Sequence, residues 1–136
     1  MERIKKYLIV LAILIFASSS SLAVESTTPM YRNTVMVPQN IQLAQCIKTF
    51  NVGFEKLFVL TETAINYNGY DINEIQSKGG YIVFSVNQYK FLATVYTFGA
   101  NNAILKITPC NDIYTFPPMI ITNIFKYIGI NQYKKF

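Results

Sequence analysis

YIVFSVNQYKFLATVYTFGANNAILKIT, residues 81–108, is the stretch that decides the fold. Three runs within it, at 81–86, 89–98 and 103–108, are filled with β-branched and aromatic residues. Such side chains suit a pleated, half-buried surface, so each run is predicted to be a strand. Asn87-Gln88 forms a tight connection between the first two runs, and Gly99-Ala100-Asn101-Asn102 forms a hairpin loop between the second and third. Glycine and asparagine tolerate the left-handed backbone that such turns use. Links this short join antiparallel neighbours, because a parallel crossover needs a dozen residues or more. Pro109 has no amide hydrogen to give to a ladder and stops the third strand. Upstream, residues 70–75 form a short extended piece and residues 76–80 a turn.

Helical periodicity flanks this meander. Residues 41–67 carry Leu43, Ile47, Phe50, Phe54, Leu57, Phe58, Thr61 and Ile65 at steps near three and four, the spacing of one helix face. Lys48, Glu55, Lys56 and Glu62 fall mostly on the other side. Pro38 or Asn40 opens this helix. Asn68-Gly69 closes it, with Gly69 in the left-handed position. Gly53 then sits mid-helix, at a cost of about 1 kcal/mol. Thr115-Phe116-Pro117-Pro118 announces a second helix over 119–128, striped by Ile120, Ile121, Ile124, Phe125 and Ile128 and ended by Gly129. Strands bounded by helices predict an α+β two-layer sandwich. Its expected form is an antiparallel meander of three to four strands with two helices packed on one face.

Alternation along the strands divides their side chains into two sets. One holds Ile82, Phe84, Val86, Phe91, Ala93, Val95, Leu105 and Ile107. The other holds Tyr81, Val83, Ser85, Lys90, Leu92, Thr94, Tyr96, Phe98, Ile104, Lys106 and Thr108. The second set mixes aromatics, aliphatics and lysines, which suits an open face that binds something extended or apolar. Tyrosine and threonine are also ordinary outward strand residues, and alternation alone leaves either set as the open face. Tyr81, Lys90, Tyr96, Phe98 and Lys106 are the candidate binding residues.

The chain begins with Arg3, Lys5 and Lys6 against a single Glu2. An uncharged apolar run follows from Tyr7 to Ala17, then serines 18–21 and Leu22-Ala23. A basic start, a short apolar core and a small-x-small ending are the parts of a secretory signal peptide. Residues 1–23 are therefore expected to be removed after Ala23, leaving an arm at 24–38, one domain at 39–130 and a polar tail at 131–136. The alternative is a retained membrane anchor, although a spanning helix wants about 20 apolar residues. No cysteine lies near the cut to carry a lipid. Export places the protein in the periplasm or outside the cell, with membrane contact only in transit or through a retained signal.

After cleavage nine basic residues face six acidic ones, a net charge of +3 spread singly along the chain. That balance does not point to nucleic acid. The sequence has no histidine, which removes the commonest general base and zinc ligand. No metal or cofactor is expected. The carboxylates beyond the signal are Glu25, Glu55, Glu62, Asp71, Glu74 and Asp112. A small secreted hydrolase would have to work with these alone, and requires Asp71, Glu74 and Asp112 to cluster in one pocket. Ser85 has no base in view, and Gly79-Gly80 lacks the spaced glycines and Lys-Ser/Thr step of a phosphate loop.

Two cysteines remain in the exported chain, Cys46 and Cys110. An oxidising compartment favours a bond between them. Closing the intervening loop of about 64 residues is worth roughly 4 kcal/mol in the chain-entropy treatment. Two buried free thiols are the alternative.

Gly69-Tyr70, Gly79-Gly80-Tyr81-Ile82 and the meander to Thr108 carry a resemblance. Over residues 40–128 the order resembles small bacterial envelope domains, among them the repeated domain of the C lipoprotein of the outer-membrane β-barrel assembly machinery. The resemblance implies an accessory or binding module rather than an enzyme. The expected function is therefore binding of a protein or other envelope component, through the open sheet face or a sheet edge near residues 70–75.

Overall fold

The computed structural model describes residues 36–135. The expected signal peptide at 1–23, and the arm up to residue 35, lie outside the described residues. The elements are β1 (Gln39–Asn40), a 3-10 turn (Leu43–Cys46), β2 (Ile47–Phe50), α1 (Phe54–Tyr67), β3 (Asp71–Gln76), β4 (Tyr81–Val86), β5 (Tyr89–Thr97), β6 (Ala103–Pro109), β7 (Thr115–Phe116) and α2 (Met119–Asn131). Five strands form one antiparallel sheet in the order β2-β6-β5-β4-β3, and β1 pairs with β7 in a two-stranded ribbon. The fold is α+β, a sheet with two helices.

The meander forms as its alternation predicts. Ile82, Phe84, Phe91, Leu105 and Ile107 are wholly buried, and Val86, Ala93 and Val95 nearly so. They meet Leu57, Leu60, Thr61, Ala64 and Ile65 from α1 and Ile120, Ile121, Ile124 and Ile128 from α2, all buried. The first strand set is thus the inner face. Phe84, Phe91 and Phe116 knit its centre: Phe84 stacks on Phe91 at 5.3 Å between ring centroids, and Phe116 meets Phe91 edge-on at 5.0 Å. Tyr70 stacks on Phe84 at 6.1 Å. Burial pushes its phenol up from the ordinary value, opposed by a hydrogen bond with Asn123 of α2.

The helix expected over 41–67 begins only at Phe54, and the sheet has five strands rather than three or four. Ile47–Phe50 leaves the helical reading and pairs with β6, Ile47 opposite Lys106 and Phe50 opposite Ala103. The apolar steps at Leu43 and Ile47 matched a helix face, yet both side chains are exposed, and it is Phe50 and Val52 that enter the core. Ile47 and Thr49 are β-branched and alternate with Lys48 and Phe50, a period-two signal hidden inside the longer period. Gly53 is not mid-helix. It is the residue before α1, extended at ψ 170°, and its carbonyl accepts the first helical bond, from Leu57 N–H at 3.0 Å. Likewise Pro38 and Asn40 open no helix, because Gln39–Asn40 forms β1.

Gly69 does end α1, at φ +73°. The amides of Gly69 and Tyr70 donate to the carbonyls of Asn66 and Ile65, which satisfies the orphan acceptors of the last turn. α2 runs through Gly129 to Asn131. A Cβ at Gly129 would meet nothing within 4 Å, so that glycine stands in open space and a helix tolerates it for about 1 kcal/mol. Among the described residues no helix is long and apolar enough to cross a membrane.

Candidate functional site

The outer face of the sheet follows from the register. Ile47, Lys106, Thr94, Tyr81 and Gln76 form one row across all five strands. The next row holds Thr108, Leu92, Val83 and Glu74, and on the other side lie Thr49, Ile104 and Tyr96. Adjacent strands lie about 4.8 Å apart, so Tyr81 and Lys106 stand about 10 Å apart in one row. Tyr96 is one step along β5 and diagonal to both. Tyr96 is 46% exposed and Phe98, at the end of that strand, 60%. The hairpin holds Phe98 there through its own amide, which donates to the Asn102 carbonyl at 3.0 Å. Four of the five candidate residues are therefore neighbours at one end of the outer face. Lys90 is not: it sits opposite Ser85, roughly 20 Å along β5 from Tyr96.

The two lysines stand beside the two cysteines. Burial pushes the Cys46 thiol up from its ordinary value, and the Lys106 ammonium opposes the rise. The Cys110 thiol is also raised by desolvation, with Lys90 lowering it and Asp112 adding to the rise. The expected Cys46–Cys110 bond is not formed: Cys46 is a buried free thiol and Cys110 an exposed one. The ladder gives the reason. Ile47 pairs with Lys106, so Cys110 lies about three residues, near 10 Å, beyond the level of Cys46. A disulfide needs Cα atoms within about 4.4–6.8 Å. The Cys46 thiol instead points at the Gln42 carbonyl, 3.7 Å away.

Asp71, Glu74 and Asp112 are not brought together. Asp71 and Glu74 lie on β3 at one edge of the sheet, beside a bulge at Asn73, where the Ser85 hydroxyl donates to Asn73 Oδ1. Asp112 follows β6, with φ +59°. The amide of Cys110 donates to Lys90, which pairs with Ser85, which pairs with Asp71. At about 4.8 Å per strand, Asp71 and the start of the Asp112 loop are some 14 Å apart. The shared pocket that carboxylate hydrolysis requires is absent among the described residues. Nor does any group of three or more His, Cys, Asp or Glu there suit a metal ion.

A cavity of about 340 Å³ opens between the start of α1 and the β3–β4 turn, lined by Phe54, Glu55, Phe58, Val59, Ser77 and Lys78. Phe54 and Phe58 are one helical turn apart and lie nearly parallel, centroids 6.3 Å apart. Gly80 makes room for Phe54: a Cβ there would stand 3.0 Å from its ring and 3.0 Å from the Val95 carbonyl oxygen. The Phe54/Phe58 pair followed by Gly79-Gly80 was the available signal. A scan against protein-family models found no match for this chain, and a search of curated proteins found none either.

Proposed function

We propose that this chain is a non-enzymatic, exported accessory domain of the cell envelope, periplasmic or secreted, that binds a protein or other envelope component through the outer face of its sheet. The observation that carries the reading is the composition of that face. Tyr81, Val83, Leu92, Tyr96, Phe98 and Ile104 lie outside the core that the two helices cover, at intermediate or full exposure. Aromatic side chains on a fixed strand offer large contact area at small entropic cost. The backbone under them is rigid, held by ladders on both sides of β4, β5 and β6. Lys106 stands among the aromatics and Lys90 at the far end, so a partner carrying carboxylates gains charge pairing at the rim. The likeness of the glycine-marked strand order to envelope accessory domains supports the same reading.

The test is retention of native envelope components by the immobilised protein, compared with a Tyr81→Ser, Tyr96→Ser, Phe98→Ser variant. Circular dichroism first establishes that both are folded. The reading expects a component held by the native protein and lost by the variant. Equal retention by both makes the aromatic face ordinary sheet surface.

A further inference from the structure

The second surface lies on the opposite side of the sheet from the aromatic face, at its β3 edge. Among the described residues β3 has β4 on one side and no strand on the other, so one row of its backbone amides and carbonyls is open to pairing there. Its helix-side residues are Ile72 and Ile75, opposite the core residues Phe84 and Ile82. Ile75 is nevertheless 41% exposed, at the edge where no further strand follows among the described residues. α1 packs against β3 and presents Val59, 44% exposed, and the Phe54/Phe58 pair. The 340 Å³ cavity opens where β3 passes into Ser77 and Lys78. A strand with one free edge, a helix alongside it and an apolar cavity at its end together form a groove of the kind that takes an extended peptide as an added strand.

Charge fixes the kind of peptide. The described residues carry five carboxylates, and four of them, Glu55, Glu62, Asp71 and Glu74, belong to α1 and β3. Glu55 lines the cavity, and Glu62 follows Val59 by one helical step, on the same face. Asp71 and Glu74 point to the outer side of β3, in the rows of Ser85 and Val83. The groove is thus bordered by four carboxylates, on both sides of the sheet plane, against one cation in the cavity lining, Lys78, in a chain whose net charge is positive.

We propose that this groove binds an extended basic segment of a protein partner, which adds as a sixth strand beside residues 74–76. The proposal rests on the binding-module reading and adds a second surface to it. The bulge at Asn73 interrupts the ladder, so pairing runs over the stretch beyond it, next to the cavity. Successive side chains of a strand point to opposite faces. The bound segment therefore alternates: apolar residues turn toward the cavity and Ile75, and lysines or arginines turn toward Glu74 and Asp71.

The test uses capped pentapeptides and fluorescence anisotropy on the purified full chain at about 0.1 M salt, where exposed charges beyond about 10 Å are screened. The probe is lysine-leucine-lysine-valine-lysine. The control is the same five residues reordered, three lysines followed by leucine and valine. The proposal expects saturable binding of the alternating peptide at least tenfold tighter than the reordered one. An Asp71→Lys, Glu74→Lys variant loses it, and the milder Asp71→Asn, Glu74→Gln variant weakens it at least fivefold with an unchanged melting curve. The Tyr81→Ser, Tyr96→Ser, Phe98→Ser variant binds as the native protein does. Absence of binding overturns the groove and leaves the aromatic face standing. Equal binding of the two peptides reduces the effect to net charge and overturns strand addition. Loss of binding in the aromatic variant moves the site to the outer face and also overturns it.

Discussion

Gly80→Ala is the sharpest single perturbation of this fold, because two separate costs meet at one atom. The backbone there sits at φ +72°, a region that costs an L-residue roughly 1–2 kcal/mol. The new methyl would also stand 3.0 Å from Phe54 Cε2 and Cζ and 3.0 Å from the Val95 carbonyl oxygen. The phenylalanine can turn, but the carbonyl belongs to β5 and cannot move away: Val95 N–H donates to the Gly80 carbonyl at 2.8 Å, tying the two backbones together. Overpacking of this kind costs about 1–3 kcal/mol. The sum is roughly 2–5 kcal/mol, a large part of a stability near 5–15 kcal/mol. Gly69→Ala separates the two costs. Gly69 has nearly the same backbone angle, φ +73°, and nothing within 4 Å of its Cβ position. Urea unfolding followed by far-ultraviolet circular dichroism should show Gly69→Ala down by about 1–2 kcal/mol and Gly80→Ala lower by at least about 1 kcal/mol more. In thermal melts that further kilocalorie is worth about 4–8 °C for a domain of this size. Equal losses at the two positions refute the close approach of β5 to Gly80, and with it the seating of Phe54 that shapes the cavity.

Phe91 lies between Phe84 and Phe116 in the buried cluster. Phe91→Ala should cost about 3–5 kcal/mol in urea titrations, and Phe91→Leu clearly less. Thr61 is wholly buried, and its hydroxyl donates to the Leu57 carbonyl at 2.7 Å. Since that carbonyl belongs to α1, whose own ladder can serve it, Thr61→Val should shift stability by less than about 1 kcal/mol. Native protein should offer one fast-reacting thiol, Cys110, and unfolded protein two; the absence of free thiols after unfolding without reductant would mean the bond forms after all. Cys46 and Tyr70 are raised by burial above ordinary values of 9.0 and 10.0. Folding favours their neutral forms, so their contribution is whole below those values and is lost as pH rises through the higher folded ones. The urea midpoint should therefore hold steady up to about pH 9 and fall above it.

The meander was legible because its signal is local. Period-two alternation across 81–108 sorted the side chains into the two faces, leaving out only the inward Ala103, and short Gly/Asn loops set the antiparallel order. The Gly69 stop was legible for the same reason: a single residue type supplies the left-handed backbone. β2 was not legible, because Ile47 and Phe50 fit a helical step as well as a strand, and only pairing with β6 decides between them. That pairing bridges more than fifty residues of sequence, which no local window contains. The same distance hid the cysteine geometry, since the offset between Cys46 and Cys110 exists only once β2 and β6 are in register. At the candidate site, alternation found Tyr81, Tyr96, Phe98 and Lys106 as one surface, but could not tell inner face from outer. Lys90 was grouped with them by parity alone, and parity carries no information about position along a strand. The cavity escaped because its walls come from α1 and from the β3–β4 turn.

If the outer sheet face meets a partner in the producing cell, site-specific photo-crosslinking captures it there. A photoreactive phenylalanine at Tyr96, 46% exposed on that face, is compared with one at Thr122, exposed on α2. A discrete higher-mass adduct is expected from position 96, suppressed by serine at Tyr81 and Phe98, and none from position 122. No adduct at 96, or the same adducts from both positions, contradicts such a contact.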